Sequence, residues 1–389
     1  MQCLPGQVSV PRLASGSLEA AFVSTVKYPA IKNMLSAARR CQSRWGHILR
    51  LTASSLPSAT KGSPRRHLTG TAVCNHYNQP LSGHDVPRPG GIATMFRLPY
   101  QTTAEGLDAC FVGIPLDTGT THRSGARFGP RQIRTESCLI RFYNSLGAAP
   151  FESLQVADIG DVNINLYDLK KAVRMIKEAY SKILTTGCKP LTLGGDHTLS
   201  YPVLQAVKEK HGTVGLVHID AHGDTADEML GEKIAHGTSF HRALEEELVD
   251  PRKMVQIGLR GPQDAQDDTE WQRNQGVWVV RMEECHHKSL LPLMSEVRQM
   301  MGDTPVYISF DIDGIDPGFA PGTGTPEVGG LTPIQGMEII RGCRGLNIIG
   351  GDLVEVSPPY DPFGTTALLG ANLLFEMLCV LPGVKYPSK

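Results

Sequence analysis

From about residue 97 onward, short apolar runs rich in β-branched residues alternate with longer amphipathic stretches. This alternation is typical of βαβ units that build a parallel sheet. The apolar runs predict eight strands, at 107–114, 154–157, 190–193, 214–219, 254–259, 277–281, 306–310 and 348–354. The amphipathic stretches predict helices at 130–142, 167–185, 201–210, 290–301, 333–343 and 365–381. The pattern therefore indicates an α/β fold with an eight-stranded, mainly parallel sheet.

Acidic residues and histidines directly follow three of these apolar runs. They are His197, Asp220, His222, Asp224, Asp311 and Asp313. Because the carboxyl ends of parallel strands meet at one edge of a sheet, we expect these side chains to lie close together. Four carboxylates could not converge in an interior without cations to neutralise them. The sequence therefore predicts a site for a pair of dications.

The residue types and their spacing suggest which metal this is and how it is held. Oxygen ligands are in excess and no cysteine is near, which favours Mn(II) over Zn(II). In the Asp220-Ala-His222-Gly-Asp224 segment the polar groups recur at a spacing of two, so a strand-like exit would turn them to one side. Asp311 and Asp313 have the same spacing.

Taken together, these segments resemble those of a known family. With Ser-Phe-Asp-Ile-Asp-Gly-Ile-Asp-Pro at 309–317 and Asp-Leu-Val-Glu-Val-Ser-Pro-Pro at 352–359, they are similar to the signature segments of the ureohydrolase family of arginases, agmatinases and related guanidino hydrolases. The resemblance covers 97–389. It implies a three-layer α/β/α arginase-like fold, two Mn(II) ions per subunit and hydrolysis of a linear guanidino compound to urea and an amine. It also implies a homo-oligomer, either a trimer or a hexamer.

The resemblance also implies a role for each candidate ligand. One Mn ion would be held by His197, Asp220, Asp224 and Asp311, and the other by Asp220, His222, Asp311 and Asp313. Asp220 and Asp311 would then bridge the two ions. Water activated between the ions would attack the guanidinium carbon.

Further residues receive supporting roles. His236 matches the family's proton-transfer histidine, which helps to protonate the departing amine. Glu355 matches the carboxylate that grips the guanidinium N–H groups and so acts in both binding and catalysis. Asp316 is expected to form a turn by bonding backbone near Asp313. His218 is expected to be a hydrogen-bonded core histidine, with support of Asp220 as the alternative.

The far end of the substrate is less constrained by the sequence. An amine head group, as in agmatine, would favour recognition by Asp227 or Glu228. A carboxylate head group would favour Arg123, which leads us to expect a short guanidino acid such as 4-guanidinobutanoate or 3-guanidinopropanoate. The alternatives are an agmatinase proper, an arginase, a zinc deacetylase on the same fold, and a non-catalytic regulatory subunit.

Composition narrows the choice of partners. The chain has 389 residues, a formal net charge of -1 and only 20% charged residues, so nucleic acid is not an expected partner. No run of about 18 uncharged apolar residues is present, which argues against a membrane span. The nine cysteines are scattered and never spaced as Cys-x-x-Cys, which is typical of reduced thiols inside a cell.

The first 70 residues differ from the rest of the chain. They contain one acidic residue, Glu19, and ten lysines and arginines. This composition is typical of an organelle transit peptide and predicts import into the mitochondrial matrix; a disordered basic tail is the alternative. Met34 offers a second possible translation start. The expected organisation is a transit peptide at 1–70, a lead-in at 71–96 and a ureohydrolase domain at 97–389.

Overall fold

Eight strands form one sheet in this computed structural model, which describes residues 77–263 and 266–387. They are β1 (Ala109–Gly113), β2 (Val156–Asp161), β3 (Lys189–Leu193), β4 (Val214–Ile219), β5 (Val249–Leu259), β6 (Trp278–Arg281), β7 (Pro305–Asp311) and β8 (Asn347–Val354). Their order across the sheet is β2-β1-β3-β8-β7-β4-β5-β6, and each pairing between these strands is parallel. The predicted eight-stranded parallel sheet is confirmed. The predicted transit peptide lies outside the described residues.

Eight α-helices accompany these strands in the described ranges. They are α1 (Gly129–Glu136), α2 (Leu169–Thr185), α3 (Ser200–His211), α4 (Ser239–Glu245), α5 (Glu270–Gln275), α6 (Leu291–Met301), α7 (Pro333–Gly342) and α8 (Thr365–Val380). Sequence periodicity predicted six of them and missed α4 and α5, which are shorter than two helical turns. The predicted extension of the first helix to residue 142 is wrong. α1 ends at Glu136, and a short 3-10 turn, Ser137–Leu139, follows it.

The helices cover both faces of the sheet. One hydrophobic cluster joins α1, α6, α7 and α8 to the sheet, and a second joins α2, α3 and α4 to the opposite face. Within β7, Ile308 and Phe310 belong to the first cluster and Tyr307 to the second, because successive side chains of a strand alternate between faces. These two buried layers confirm the three-layer α/β/α architecture. None of the described helices is long and apolar enough to cross a membrane.

The lead-in before the predicted domain packs into the same core. Phe96 is buried and makes edge-to-face contacts with Phe111 and Phe375. The backbone N–H of Met95 donates to Asp158 Oδ2 at 2.6 Å. The described lead-in residues therefore belong to the same compact unit as the sheet.

The order of the strands decides where the polar segments meet. β3, β8, β7 and β4 are consecutive neighbours in the middle of the sheet. Each of them ends beside a candidate site residue, so one crevice at the carboxyl ends can collect all of them.

Candidate metal centre

The candidate ligands emerge from the central strands at a single edge. His197 opens a short 3-10 turn after β3, and Asp220 directly follows β4. Asp311 is the last residue of β7, and Asp313 lies in the 3-10 turn that follows it. His197, Asp220, Asp311 and Asp313 are each no more than 3% exposed.

Three carboxylates surround one nitrogen of His197. Its Nδ1 atom lies 3.2 Å from Asp220 Oδ2, 2.9 Å from Asp224 Oδ2 and 3.2 Å from Asp311 Oδ2. This is the set of four residues predicted for the first metal ion.

A chain of two hydrogen bonds on the other side of the ring shows which nitrogen of His197 carries the proton. His197 Nε2 lies 2.9 Å from Ser309 Oγ, which donates to Asp352 Oδ1 at 2.7 Å. Since the serine hydroxyl gives its proton to Asp352, it accepts from the N–H at Nε2 of a neutral His197. In this neutral form, which is the form that can bind a metal ion, the nitrogen that faces the three carboxylates presents an unshared electron pair. Four acceptors with no donor between them are a fitting environment for a cation.

The second donor set adjoins the first through Asp220. His222 Nδ1 lies 3.5 Å from Asp220 Oδ1 and 3.2 Å from Asp313 Oδ2. Asp220 thus turns one oxygen toward each histidine, as a bridging ligand would. Asp311 directs one oxygen to His197 and accepts the Asp313 backbone N–H at 2.9 Å with the other, so its bridging role stays a prediction.

The electrostatics of the cluster also fit bound cations. Burial raises the pKa of Asp311, and the charges of Asp313 and Asp220 raise it further. Burial lowers the pKa of His197, but the surrounding carboxylates outweigh it and hold the pKa well above its usual range. Burial likewise opposes a charge on His222, yet Asp313 and Asp220 raise its pKa. A proton on each ring thus stands where a metal ion would bind.

His218 supports Asp220 rather than joining the ligands. Its Nε2 lies 2.8 Å from Asp220 Oδ2, close enough to be counted with His197 and Asp220 as a possible metal group. However, Gln256 Nε2 donates to Gly223 O at 2.7 Å and also faces His218 Nδ1 at 2.9 Å. The glutamine amide therefore donates to Nδ1, and the proton of His218 sits on Nε2, pointing at Asp220. This is the buried core histidine that was expected, and it also orients a ligand.

Glu355 follows β8 and reaches the same crevice. It is 1% exposed, and its Oε1 accepts the backbone N–H of His197 at 2.9 Å. Its Oε2 has no hydrogen-bond partner among the described residues. Gly324 leaves room beside this oxygen, because a Cβ atom there would lie 3.3 Å from it. Burial raises the pKa of Glu355 because the charged carboxylate loses its hydration, and a bound cationic group would compensate for that loss.

His236 lies next to Glu355. Its Nδ1 is 3.5 Å from Glu355 Oε1, and its Nε2 is 2.8 Å from the hydroxyl of Thr121. Burial lowers the pKa of His236, but the Glu355 carboxylate outweighs that effect and raises the pKa to about 9. The ring is therefore protonated at neutral pH, as a proton donor should be.

The way in which the polar groups converge differs from the prediction. Asp224 has a left-handed backbone, with φ of 51°, and does not continue a strand. Asp313 lies in a 3-10 turn capped by Asp311, not in an extended segment. The spacing of two is therefore not the cause of their convergence. Glu355 also has positive φ, at 63°, and such backbone strain in non-glycine residues is concentrated at functional sites.

Several predicted supporting contacts lie elsewhere. Asp316 does form a turn, but its carboxylate accepts backbone N–H groups of Gly318, Gly329 and Gly330, not of residues near Asp313. Arg123 places its guanidinium 5.1 Å from the centre of the Tyr360 ring. A direct contact of Arg123 with substrate stays a prediction.

The predicted amine-binding acids are already paired. Asp227 lies 2.5 Å from Lys233 Nζ and 2.6 Å from Arg242 Nη2. Glu228 lies 3.7 Å from the same lysine. Asp227 is therefore already paired with two cations, and Glu228 lies near one of them.

Sequence reasoning assigned no role to Gln256, Ser309, Asp352 or Thr121. Each acts through a contact to a residue on a different strand or loop. One signal was available for Ser309, because it lies two positions before Asp311 on the same face of β7.

A cavity of about 460 Å³ opens over the centre. His222, Asp224, His236 and Thr121 contribute to its wall near the candidate ligands. Its wall also includes Trp271, Gln272, Asp268, Arg260 and Arg281. A small molecule can therefore reach the centre.

Comparison with known proteins places this architecture in one family. The model of the arginase family matches residues 107–379. The mitochondrial agmatinase of Gallus gallus is 65% identical over 312 residues, which cover 80% of this chain and 92% of that protein. The guanidinobutyrase of Pseudomonas aeruginosa is 66% identical over 311 residues, covering 79% of this chain and 98% of its own length.

A solved structure agrees. The proclavaminate amidino hydrolase of Streptomyces clavuligerus superposes with a TM-score of 0.72 at 39% identity, over 76% of this chain and all of that chain. The parallel sheet, the acceptor-only cluster at its centre and the match over most of the chain lead to one conclusion: this chain belongs to the arginase family.

Proposed function

We propose that this protein is a hydrolase that holds two Mn(II) ions and splits a linear guanidino compound into urea and an amine. One observation carries the proposal: the acceptor-only cluster around His197 lies directly beside a buried carboxylate, Glu355, with an unpaired oxygen. The first feature suits cations and the second suits a guanidinium. The oxygen-rich donor set favours Mn(II) over Zn(II).

The residues divide the reaction between them. When bound, a pair of dications lowers the pKa of a water molecule so that a nucleophile is available at neutral pH. The unpaired oxygen of Glu355 accepts guanidinium N–H groups and holds the carbon over the centre. His236 donates a proton to the amine as its bond to carbon breaks. Water supplies the oxygen of urea. Its two protons end on the departing nitrogen, which leaves as an ammonium group.

We propose a carboxylate at the far end of the substrate. Among the described residues that line the cavity beyond the candidate ligands and His236, Arg260 and Arg281 are cationic and Asp268 is anionic. Arg260 donates to the backbone carbonyls of Asp313 and Glu327, at 2.7 and 2.6 Å, whereas Arg281 has a long contact of 3.7 Å to the exposed Glu283. Arg281 is therefore better placed than Arg260 to meet an anion. The name of the Pseudomonas aeruginosa relative, guanidinobutyrase, agrees with a guanidino acid.

A urea-release panel on the Mn-loaded protein tests the proposal. It compares 4-guanidinobutanoate, 3-guanidinopropanoate, taurocyamine, arginine and agmatine. We expect the highest kcat/KM for a short guanidino acid. A preference for agmatine would instead identify an agmatinase proper, as the name of the Gallus gallus relative suggests. Full metal occupancy without urea from any of the five would contradict the proposed function.

Two substitutions separate the candidate head-group residues. Arg281→Met should lower kcat/KM for the guanidino acid more than for agmatine, because it removes a charge from the cavity wall. Arg123→Ala should do the same only if Arg123 leaves the Tyr360 ring to contact substrate. A preference unchanged in both variants would overturn the proposed carboxylate subsite.

We also propose that the protein acts in the mitochondrial matrix. The acid-poor first 70 residues support this, as does the mitochondrial name of the Gallus gallus relative. Sequencing the N-terminus of the native mature protein tests it, and an unprocessed Met1 would contradict import. The proposed homo-oligomer, a trimer or hexamer, rests on the family resemblance and is tested by light scattering coupled to size exclusion.

A further inference from the structure

The loop between β1 and α1 fastens His236 at two points. The backbone carbonyl of Gly119 accepts the His236 N–H at 3.2 Å, and Thr121 Oγ1 lies 2.8 Å from the ring at Nε2. The loop is itself anchored below, because Gly119 N–H donates to Asp196 Oδ2 at 2.8 Å. Gly119 is required there, since a Cβ atom would lie 2.1 Å from Thr198 Oγ1. The backbone two residues before Thr121 is therefore held by contacts to Asp196 and His236.

The two nitrogens of His236 face different surroundings. Nδ1 faces Glu355, the proposed guanidinium partner, at 3.5 Å. Nε2 faces Thr121, which is exposed and lines the cavity. The ring itself is only 8% exposed. Because Glu355 is the proposed guanidinium partner, the nitrogen nearest the reacting group is Nδ1, while Thr121 holds Nε2 at the cavity wall.

We propose that Thr121 is a positioning residue for proton transfer: its hydroxyl accepts the Nε2–H of His236 and so aims the Nδ1–H at the departing amine. This inference rests on the proposed function. In the transfer, the Nδ1–H bond breaks as an N–H bond forms on the amine, and the ring becomes neutral with its remaining proton still on Nε2. A proton from the attacking water then restores the Nδ1–H.

The charges around His236 agree with this assignment. Glu355 after β8, Asp224 after β4 and Asp196 after β3 all favour a protonated ring. A doubly protonated ring needs an acceptor at each nitrogen. Glu355 is the acceptor on one side and Thr121 is the acceptor on the other.

Two substitutions at Thr121 test the proposal. Thr121→Val keeps the shape and removes the hydroxyl, whereas Thr121→Ser keeps the hydroxyl. With the substrate that the wild type prefers, we expect the valine variant to lose about tenfold in kcat, with KM and metal content unchanged. The serine variant should recover most of the loss. Thr135→Val, on an exposed position of α1, is the matched control and should behave as wild type.

A change of leaving group separates proton transfer from a structural effect. The guanidinooxy analogue of the preferred substrate releases a weakly basic hydroxylamine, which needs little help from an acid. The deficit of Thr121→Val should therefore shrink on this analogue. An equal deficit on both substrates, no deficit on either, or a serine variant as slow as the valine variant would overturn the proposal.

A measurement without turnover keeps the two proposals distinguishable. In protein labelled with ¹⁵N-histidine, the signal lost in His236→Asn identifies the ring of His236. We expect its Nε2–H to exchange slowly in the wild type and in Thr121→Ser, and fast in Thr121→Val. Equal exchange in all three would overturn the role of Thr121, even if the wild type released no urea and the proposed function failed.

Discussion

Two clusters of carboxylates lie on this sheet, one around the buried Asp158 and one around the buried His197, and they are neutralised in different ways. At β2, Arg134 donates to Asp158 through Nε and Nη2, at 2.7 and 3.0 Å, and to Asp161 through Nη1 at 2.6 Å. This cluster contains its own cation. Around His197, the described chain brings no lysine or arginine nitrogen within 4 Å of the four candidate carboxylates.

The difference shows what each cluster is for. Buried carboxylates cost stability unless each charge is paired. The arginine cluster satisfies that condition within the chain and fastens α1 to the edge of the sheet. The histidine cluster holds four carboxylates against two ligand histidines, so even with both rings protonated it is satisfied fully only when further cations are added. We infer that the first cluster serves folding and the second serves binding.

The largest expected effect comes from removing the charge of Asp220, the carboxylate that faces both His197 and His222 in the histidine cluster. Asp220→Asn should abolish occupancy of at least one metal position and lower kcat/KM at least about a thousandfold, because the water would no longer be activated. Metal analysis and urea release measure this, with the exposed Asp303→Asn as control. Denaturant unfolding of the metal-free variant checks that it stays folded. Retention of both metals with full activity would contradict the assignment of Asp220.

The arginine cluster should respond in the opposite way, with a loss of stability and no change in metal binding. Arg134→Met leaves Asp158 buried without its partner, so the free energy of unfolding should fall by about 3–5 kcal/mol. The number of metal ions bound by the folded protein should not change. Denaturant unfolding of the metal-loaded protein checks the first expectation and metal analysis the second. A loss of metal without a loss of stability would reverse the roles given to the two clusters.

A smaller effect is expected from removing Gln256, which supports Asp220 through His218. Gln256→Leu removes the donor to His218 Nδ1, so the proton that points at Asp220 is no longer fixed. Metal affinity should fall about 10–100-fold. Gln335→Leu removes a buried amide that donates to Cys285 O and is the matched control. If both variants bound Mn(II) as tightly as wild type, the support of Asp220 through His218 would be wrong.

The mildest perturbation is a change of pH. His197 and His222 have raised pKa values, so below those values each ring holds a proton where a metal ion would bind. Mn(II) affinity should therefore weaken as the pH is lowered, by about tenfold per pH unit for each proton displaced. The stability of the metal-free protein should instead fall as the pH rises through the same values, because its imidazolium–carboxylate pairs are then lost. Calorimetric titration across a pH series checks this, and an affinity independent of pH would count against histidine ligands.

The sequence predicted the centre of the sheet well because the central strands are buried on both faces. Such strands appear as continuous apolar runs, and each of the eight runs overlaps an observed strand. The run predicted at 154–157 shares only Val156 and Ala157 with β2, whose last three residues are partly buried or exposed. The early part of β5 was missed because it carries Asp250, Pro251 and Arg252, which are only partly buried or exposed. The order of the strands was not predicted, since pairing depends on contacts far apart in the chain.

The candidate site was likewise predicted only in part from the sequence. The types of the ligands were visible in the sequence, because charged groups after an apolar strand need an explanation. The left-handed backbone of Asp224 and Glu355 was not, because it results from the surrounding turns. Partners such as Gln256 and Thr121 were also missed, since their roles depend on which residue they face.

Anomalous diffraction at the manganese edge from crystals grown with Mn(II) tests the central claim most directly. We expect two peaks about 3.5–4 Å apart, one beside His197 Nδ1 and one beside His222 Nδ1, with Asp220 between them. A single peak, or no peak at this cluster in protein that releases urea, would contradict the account.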